Sequence, residues 1–384
     1  MPFTELQKEL NERTSLGLLR QRRMLQSPQA PHIMVDGKSY LSFCSNDYLG
    51  LANHPRVIAA LQQGAQLHGA GAGAAHLLSG HSGTHHQLEL ELAAFVGRPS
   101  ALLFSTGYMA NLGIVQALVG KGDTVLADKF NHASLNDAMQ LSRATVKRYR
   151  HNDLTQLAQL LGQAKSGRKL VITDAVFSMD GDFAPLPELL ALSEQHDAWL
   201  LVDDAHGFGV SGGQGRGSLA HFGLDSPRII YMATLGKAAG VFGAFVAAEQ
   251  VVIDTLINHA HSYVYTTASP PALASALLES LRQIENGDGL RSHLQNLIVK
   301  LRSGLHGLPW SLMPSTTAIQ PLLVGSNHAA LKLSEGLREH GIWVAAIRPP
   351  TVPPGTARLR ITLSAAHRVA DVTRLIETLH ELAR

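Results

Sequence analysis

The sequence predicts an α/β fold, with a mostly parallel central sheet in a large domain and a smaller C-terminal α+β domain. Three observations carry this. First, six short apolar runs recur along the chain: ALLF (101–104), TVLAD (124–128), LVITDAVF (170–177), WLLVDDAH (199–206), IIYMAT (229–234) and GAFVAA (243–248). Segments with apolar residues at helical spacing separate them, and continuous apolar strands alternating with helices fit a parallel sheet covered on both faces. Second, the last hundred residues change character, with longer helical stretches and fewer, more isolated strands. Third, apolar residues make up 45% of 384 and charged residues only 16%, against about 25% in ordinary soluble proteins. Such a chain has material for a large core and for buried interface.

In chain order, MPFTELQKELNERTSLG is polar and helix-like up to about Arg23, unlike a signal peptide. SYLSFCS (39–45) reads as extended, so 1–45 forms an N-terminal helix and arm. The large domain spans 46–285. It opens on the turn-forming Asn46-Asp47, continues through the helical VIAALQQGAQLH and the glycine-alanine segment GAGAGAA (69–75), and reaches a helix in HHQLELELAAFVG with Ser82 as its cap. The six apolar runs and their helices follow. The small domain, 286–384, contains the helical RSHLQNLIVKLRSGL and the strand candidates IQPLLV, IWVAAI and ARLRITL.

Net charge is +2 and the densest basic cluster is Arg20, Arg22 and Arg23, which gives nucleic-acid or acidic-membrane binding little support. Cys44, the single cysteine, excludes an intrachain disulfide and a cysteine-based zinc cage and fits a reducing, cytoplasmic setting.

Lys237 is the only charged residue between Ile229 and Ala248. Apolar surroundings disfavour the ammonium, and Schiff-base chemistry needs the free amine; alternatively the stem is buried and the head reaches solvent. Asp203, Asp204 and His206 end the run WLLVDDAH, where ligand sites of open parallel sheets gather, although turn and cap roles are equally open. A buried carboxylate that keeps a pyridine nitrogen protonated, together with an amine-bearing lysine, is the arrangement pyridoxal phosphate requires. Gly107 and Tyr108 follow ALLF and open a helix whose N-terminal N–H groups suit a phosphate.

Two features read as decoys. GAGAGAA matches a dinucleotide fingerprint at Gly69, Gly71 and Ala74, but a helix precedes it where a strand is required. His81 and His85 are four apart like a metal pair, yet Ser82 places His81 outside the helix and no third ligand adjoins them. No metal is expected. In RPPTVPPGTARLRITL (348–363) alternation puts Arg358 and Arg360 on one face, opposite Leu359 and Ile361. An arginine there suits a substrate carboxylate; a solvated strand face is the commoner outcome.

These pieces, in this order, resemble the α-oxoamine synthases, fold-type-I pyridoxal-phosphate enzymes that condense an amino acid with an acyl thioester and release CO₂. The resemblance rests on SNDYLGL (45–51), SGHSGTHHQLELELA (79–93), NHASLNDA (131–138), VFSMDGD (176–182), VDDAHGFGVSGGQGRG (202–217), TLGK (234–237), YTTASPP (265–271) and 348–363. It implies Lys237 as the Schiff-base lysine and proton carrier, Asp203 at the pyridine nitrogen, His206 at the phenolic oxygen, His132 over the ring and toward substrate, and Ser178 near the cofactor oxygen. Gly107, Tyr108 and Thr234 would hold the phosphate, joined by Thr266 or Thr267 of a partner subunit in a homodimer with shared active sites. Asn46 and Arg360 would hold the amino-acid carboxylate, and Arg20 and Thr351 the acyl side. AIRPPTVPPGTARLR implies the biotin-pathway branch, with L-alanine and pimeloyl-CoA or pimeloyl-acyl carrier protein as substrates; glycine-using branches, a non-catalytic partner subunit and a dinucleotide oxidoreductase are the alternatives. The segment departs from the commoner family pattern at His76 and at 81–84 (HSGT), which bears on the substrate mouth.

Overall fold

The computed structural model describes residues 2–164 and 167–384. Two compact units emerge. One comprises Leu51–Ser178 and Phe183–Arg291, the other Met1–Gly50, Met179–Asp182 and Ser292–Arg384. The sequence reading sets 1–45 apart as an arm; in the structure these residues cluster with the C-terminal ones, because Lys38–Ser42 pairs in parallel with Ile342–Trp343.

The larger unit is built on a seven-stranded sheet. Its order is Ser100–Phe104, Ala244–Ala248, Ile229–Thr234, Trp199–Asp203, Lys169–Asp174, Thr124–Asp128, Thr145–Tyr149. Ala244–Ala248 runs antiparallel to both neighbours, and the other adjacent pairs are parallel. Six of these strands are buried along nearly their whole length, which is why they read as uninterrupted apolar runs. Thr145–Tyr149 is the exception. Its sequence TVKRY is largely solvent-facing and lies at the sheet edge, so no apolar run announced it. The runs 170–177 and 199–206 leave the sheet early, at Asp174 and Asp203.

The parallel strands end together. Asp174 is in register with Asp203, and Asp203 with Met232, two residues before Thr234. Polar side chains are thereby collected along one edge of an apolar sheet, the place where open α/β sheets bind ligands. A helix, Pro55–His68, precedes GAGAGAA, so the strand a dinucleotide fingerprint needs is absent there.

The smaller unit holds two sheets. One is His32–Val35, Lys38–Ser42, Ile342–Trp343; the other is Ser311–Leu312, Ile319–Gly325, Ala357–Thr362, Ala345–Ile347. The run IWVAAI, expected as one strand, thus divides between the sheets. The first helix stops at Ser15 and buries no residue; the expected extension to Arg23 is broken at Gly17, whose φ of +64° lies in the left-handed region that favours glycine.

Candidate active site

A cavity of about 210 Å³ opens at the strand ends of the larger unit. Lys237 lines it from the turn after Ile229–Thr234, half-buried, and its Nζ donates to Thr234 Oγ1 at 3.1 Å. Asp203 reaches it from the end of its strand and is 5% exposed. Its two oxygens are held separately: Asn111 Nδ2 donates to Oδ2 at 2.8 Å, and the Ala205 N–H to Oδ1 at 3.1 Å. A carboxylate has acceptor capacity left beyond these two bonds.

His132 caps the helix Ala133–Ser142. Its Nδ1 accepts the Ser134 N–H at 3.2 Å, and its own backbone N–H donates to Asp174 Oδ2 at 2.8 Å. Burial lowers the basicity of this imidazole; the Asp203 charge opposes the shift and the Lys237 charge adds to it. A neutral ring with Nδ1 accepting carries its proton on Nε2. Burial, and then the negative charge of Asp203, raise the Asp174 carboxyl well above its usual range. Beside it, Asp204 turns away from the cavity to accept from Ser218 N–H at 2.7 Å, Ser218 Oγ at 2.5 Å and Tyr231 OH at 2.8 Å. Burial outweighs these donors and pushes Asp204 up to about 6. Asp204 therefore anchors the turn that follows Asp203.

The opposite wall is the N-terminus of the helix Gly107–Leu118. Thr106 Oγ1 caps it by accepting the Met109 N–H at 3.1 Å. The first-turn N–H groups of Gly107 and Tyr108 have no acceptor within their own helix, and the helix dipole favours an anion there. Gly107 approaches Thr234 so closely that a Cβ would come within 2.6 Å of its Cγ2. Tyr108 OH donates to Asp137. Ser178 and His206 complete the lining. The structure thus gathers Lys237, Asp203, His206, His132, Ser178, Gly107, Tyr108 and Thr234 around one cavity. Thr266 and Thr267 do not line it; Thr267 instead bridges to Ala75.

Three polar cavity residues escaped the sequence reading: Asn111, Ser134 and Asp174. Asn111 is 1% exposed, also donates to Ser134 Oγ at 2.9 Å, and has a buried Oδ1 without a hydrogen-bond partner among the described residues. A polar side chain four residues past Gly107 in an apolar helix was the available signal. Taken together, a carboxylate with spare acceptor capacity, an amine, and a glycine-lined helix N-terminus fit pyridoxal phosphate: ring nitrogen, aldehyde carbon and phosphate each find a chemical counterpart.

The remaining candidates belong to the smaller unit. Arg360 is 7% exposed and donates to Asn46 Oδ1 at 3.1 Å and Thr362 Oγ1 at 3.0 Å. Arg358, 3% exposed, pairs with Asp180 at 2.8 Å. The solvated face that alternation allowed for these arginines is therefore a buried one, and each charge has a different partner. A second cavity, about 250 Å³, is lined by Arg20, Arg348 and Thr351 with Leu18 and Ile347. Arg20 Nη2 donates to Thr351 Oγ1 at 2.9 Å and Arg348 donates to the Gly17 carbonyl. No carboxylate lines this cavity among the described residues. Cys44 donates to the Trp343 carbonyl at 3.4 Å, and burial pushes its thiol up to about 12. It is no nucleophile.

Known proteins match this arrangement along the whole chain. The profile of the family described as aminotransferase class I and II covers residues 38–379. The 8-amino-7-oxononanoate synthase of Nitrosospira multiformis is 62% identical over 379 residues, 99% of this chain and 96% of that protein. Among solved structures, a serine palmitoyltransferase variant from S. paucimobilis with a bound PLP–myriocin aldimine superposes with a TM-score of 0.93 at 30% identity, covering 99% of this chain and 96% of that one. The 8-amino-7-oxononanoate synthase of Francisella tularensis gives 0.78 at 31% identity, covering 89% and 97%. A lysine, a hydrogen-bonded carboxylate and a glycine-lined helix N-terminus thus share one cavity in a chain that matches these proteins over nearly its whole length, and the protein belongs to the class I and II aminotransferase family, in the branch of the 8-amino-7-oxononanoate synthases.

Proposed function

We propose that this chain catalyses the decarboxylative condensation of L-alanine with a pimeloyl thioester, carried by CoA or acyl carrier protein. The products are 8-amino-7-oxononanoate, the free thiol and CO₂, a step of biotin biosynthesis in the cytoplasm. The observation that carries the reading is the cavity in which Lys237, the Asn111-held Asp203 and the Gly107 helix N-terminus converge. Bound there, pyridoxal phosphate supplies an electron sink for the charge that develops at the amino-acid Cα.

The chain's own groups do the rest. Lys237 takes the Cα proton of alanine and returns a proton there after CO₂ has left. Asp203 keeps the ring nitrogen protonated, and Asn111 keeps Asp203 in place. His206 and Ser178 serve the phenolic oxygen, and Thr234, Gly107 and Tyr108 the phosphate. His132 offers its Nε2–H to the substrate carbonyl. Arg360 with Asn46 is the clamp for the alanine carboxylate, which fixes the Cα bond that breaks. Arg20 and Thr351, with Arg348, are the acyl-side group: two guanidiniums in a cavity without a carboxylate suit the polar far end of a pimeloyl chain. Because Thr266 and Thr267 do not line the cavity of their own chain, the reading gives them to a second copy in a homodimer.

The test is turnover of the purified enzyme with L-alanine or glycine against pimeloyl, acetyl and succinyl thioesters. Condensation of alanine with the pimeloyl thioester is expected, with Arg348→Met raising KM for that substrate. Turnover with glycine alone would move the chain to a sister synthase.

A further inference from the structure

The spacing of His81 and His85 gave no reason to expect a metal, because no third donor adjoined them in the sequence. Folding supplies the missing donors. The chain makes a π-helical turn at His76–Gly80 before the helix Gly83–Val96 begins. This turn sets His76 against His81, with their Nδ1 atoms 3.1 Å apart. His76 is 8% exposed, and its ring stacks on Tyr263 at 5.2 Å between centroids and 13° between planes. Of the two Nδ1 atoms in contact, one carries the proton. With His81 as donor, its Nε2 is left as a bare lone pair.

That Nε2 lies 3.8 Å from Glu89 Oε2. His86 and Glu89 are three apart on the helix and share a face, and one ligand atom from each of His81, His86 and Glu89 lies within 4.8 Å of the others. Glu89 is 8% exposed and its Oε1 accepts the Leu103 N–H at 2.9 Å, leaving Oε2 to point at the histidines. His85, the fourth member of the cluster, is committed elsewhere: its Nδ1 accepts the Ser82 N–H at 3.1 Å in the helix capping box, and its Nε2 is 3.3 Å from Ser269 Oγ.

We propose that His81, His86 and Glu89 bind one divalent transition-metal ion, zinc by the chemistry of two imidazoles and a carboxylate, with His76 holding His81 in the ligating tautomer. Two nitrogens and one oxygen leave a coordination position for water, as in open zinc sites. The His76 contact is the outer partner that a ligating histidine ordinarily has. His81 and His86 are exposed, so the ion has access. Its effect would be to tie the turn His76–Gly80 to the helix and, through Glu89, to the strand Ser100–Phe104 that leads to the Gly107 cradle.

Titrating the pyridoxal-phosphate-loaded full chain with ZnCl₂ in a calorimeter tests this. The expectation is one saturable ion per chain, a Tm that rises with zinc, and, with Co(II) in place of zinc, a visible d–d absorption. His81→Ala and His86→Ala should each weaken binding by about a hundredfold or more. His76→Phe, which keeps the stack on Tyr263, should weaken it roughly 10- to 100-fold, the range for an outer partner. The exposed His306→Ala should change nothing. Folding of each variant is checked by cofactor absorbance and Tm, and should Glu89→Gln fail to fold, the histidine variants decide. Absence of a saturable site in the wild type overturns the proposal, and so does unchanged zinc affinity in the His81→Ala/His86→Ala double variant.

Discussion

Replacing Asn111 by alanine deletes the side chain that fixes Asp203 while leaving every titrating group of the cavity in place. Asn111 Nδ2 donates to Asp203 Oδ2 at 2.8 Å and to Ser134 Oγ at 2.9 Å. Asp203 is 5% exposed, so bulk water does not substitute for the lost donor, and the Ala205 N–H at 3.1 Å is left to hold the carboxylate. A hydrogen bond to a charged group contributes about 1.5–3 kcal/mol. The variant should lose about that much unfolding free energy in urea. At about 1.4 kcal/mol per factor of ten, the same energy withdrawn from the placement of Asp203 lowers kcat/KM for alanine roughly 10- to 100-fold. Cofactor loading should survive, because the Gly107 turn is untouched. Asn111→Asp sharpens the test: nearly the same shape brings a second carboxylate against Asp203, and the loss should exceed that of the alanine variant. The assay is initial rate with L-alanine and the pimeloyl thioester, alongside cofactor absorbance. The reasoning fails if Asn111→Ala, folded and loaded, stays within about twofold of wild type, roughly 0.4 kcal/mol.

Lys237→Ala should abolish the visible absorbance of the lysine-bound cofactor and slow condensation by about 10²- to 10⁴-fold, the usual contribution of a positioned acid–base group; spectra that keep that band would remove Lys237 from its role. Asp204 should make stability depend on pH in the direction opposite to a salt-bridged carboxylate. Its folded-state value is raised from 3.8 to about 6, so the folded chain binds the extra proton between those values, and stability falls as pH rises through that window by at most roughly 3 kcal/mol. Urea unfolding of wild type and Asp204→Asn from acid to neutral pH checks it, and a wild-type–variant difference that does not change with pH would contradict it. Cys44, with its thiol pushed up to about 12, should resist iodoacetamide in the native enzyme at mildly alkaline pH, and Cys44→Ser should keep kcat; rapid native labelling would refute the burial argument.

The sheet was legible because burial on both faces demands apolar residues along whole strands, and Thr124–Asp128 and Ile229–Thr234 carry that demand undiluted. Where burial is one-sided the signal fades. Thr145–Tyr149 joins the same sheet through a parallel ladder with Thr124–Asp128, yet as an edge strand it exposes Lys147 and Arg148 to differing degrees and shows no apolar run. Backbone pairing made that strand, and pairing leaves no trace in side-chain polarity. IWVAAI failed in the opposite way: it is apolar throughout, but its two halves pair with different partners, Lys38–Ser42 and Ala357–Thr362.

The cavity was legible for a related reason. In an apolar stretch a polar residue costs free energy unless it is satisfied, so Lys237 and Asp203 stood out against their neighbours. Asn111 stood out no less chemically, but its partners Asp203 and Ser134 lie 92 and 23 residues away. Only the register of the strand ends brings them within hydrogen-bonding distance. Arg358 and Arg360 make the same point from the other unit. Period-two alternation correctly places them on one face, and chemistry requires any buried guanidinium to find an acceptor. One finds Asp180 and the other Asn46, 178 and 314 residues earlier in the chain and far apart from each other. Local pattern therefore tells which groups must be satisfied, and topology decides by what. The positioning residues of this site, Asn111 above all, fall in the second category. A variant at such a position should reduce the action of a partner remote in sequence while leaving its own helix intact.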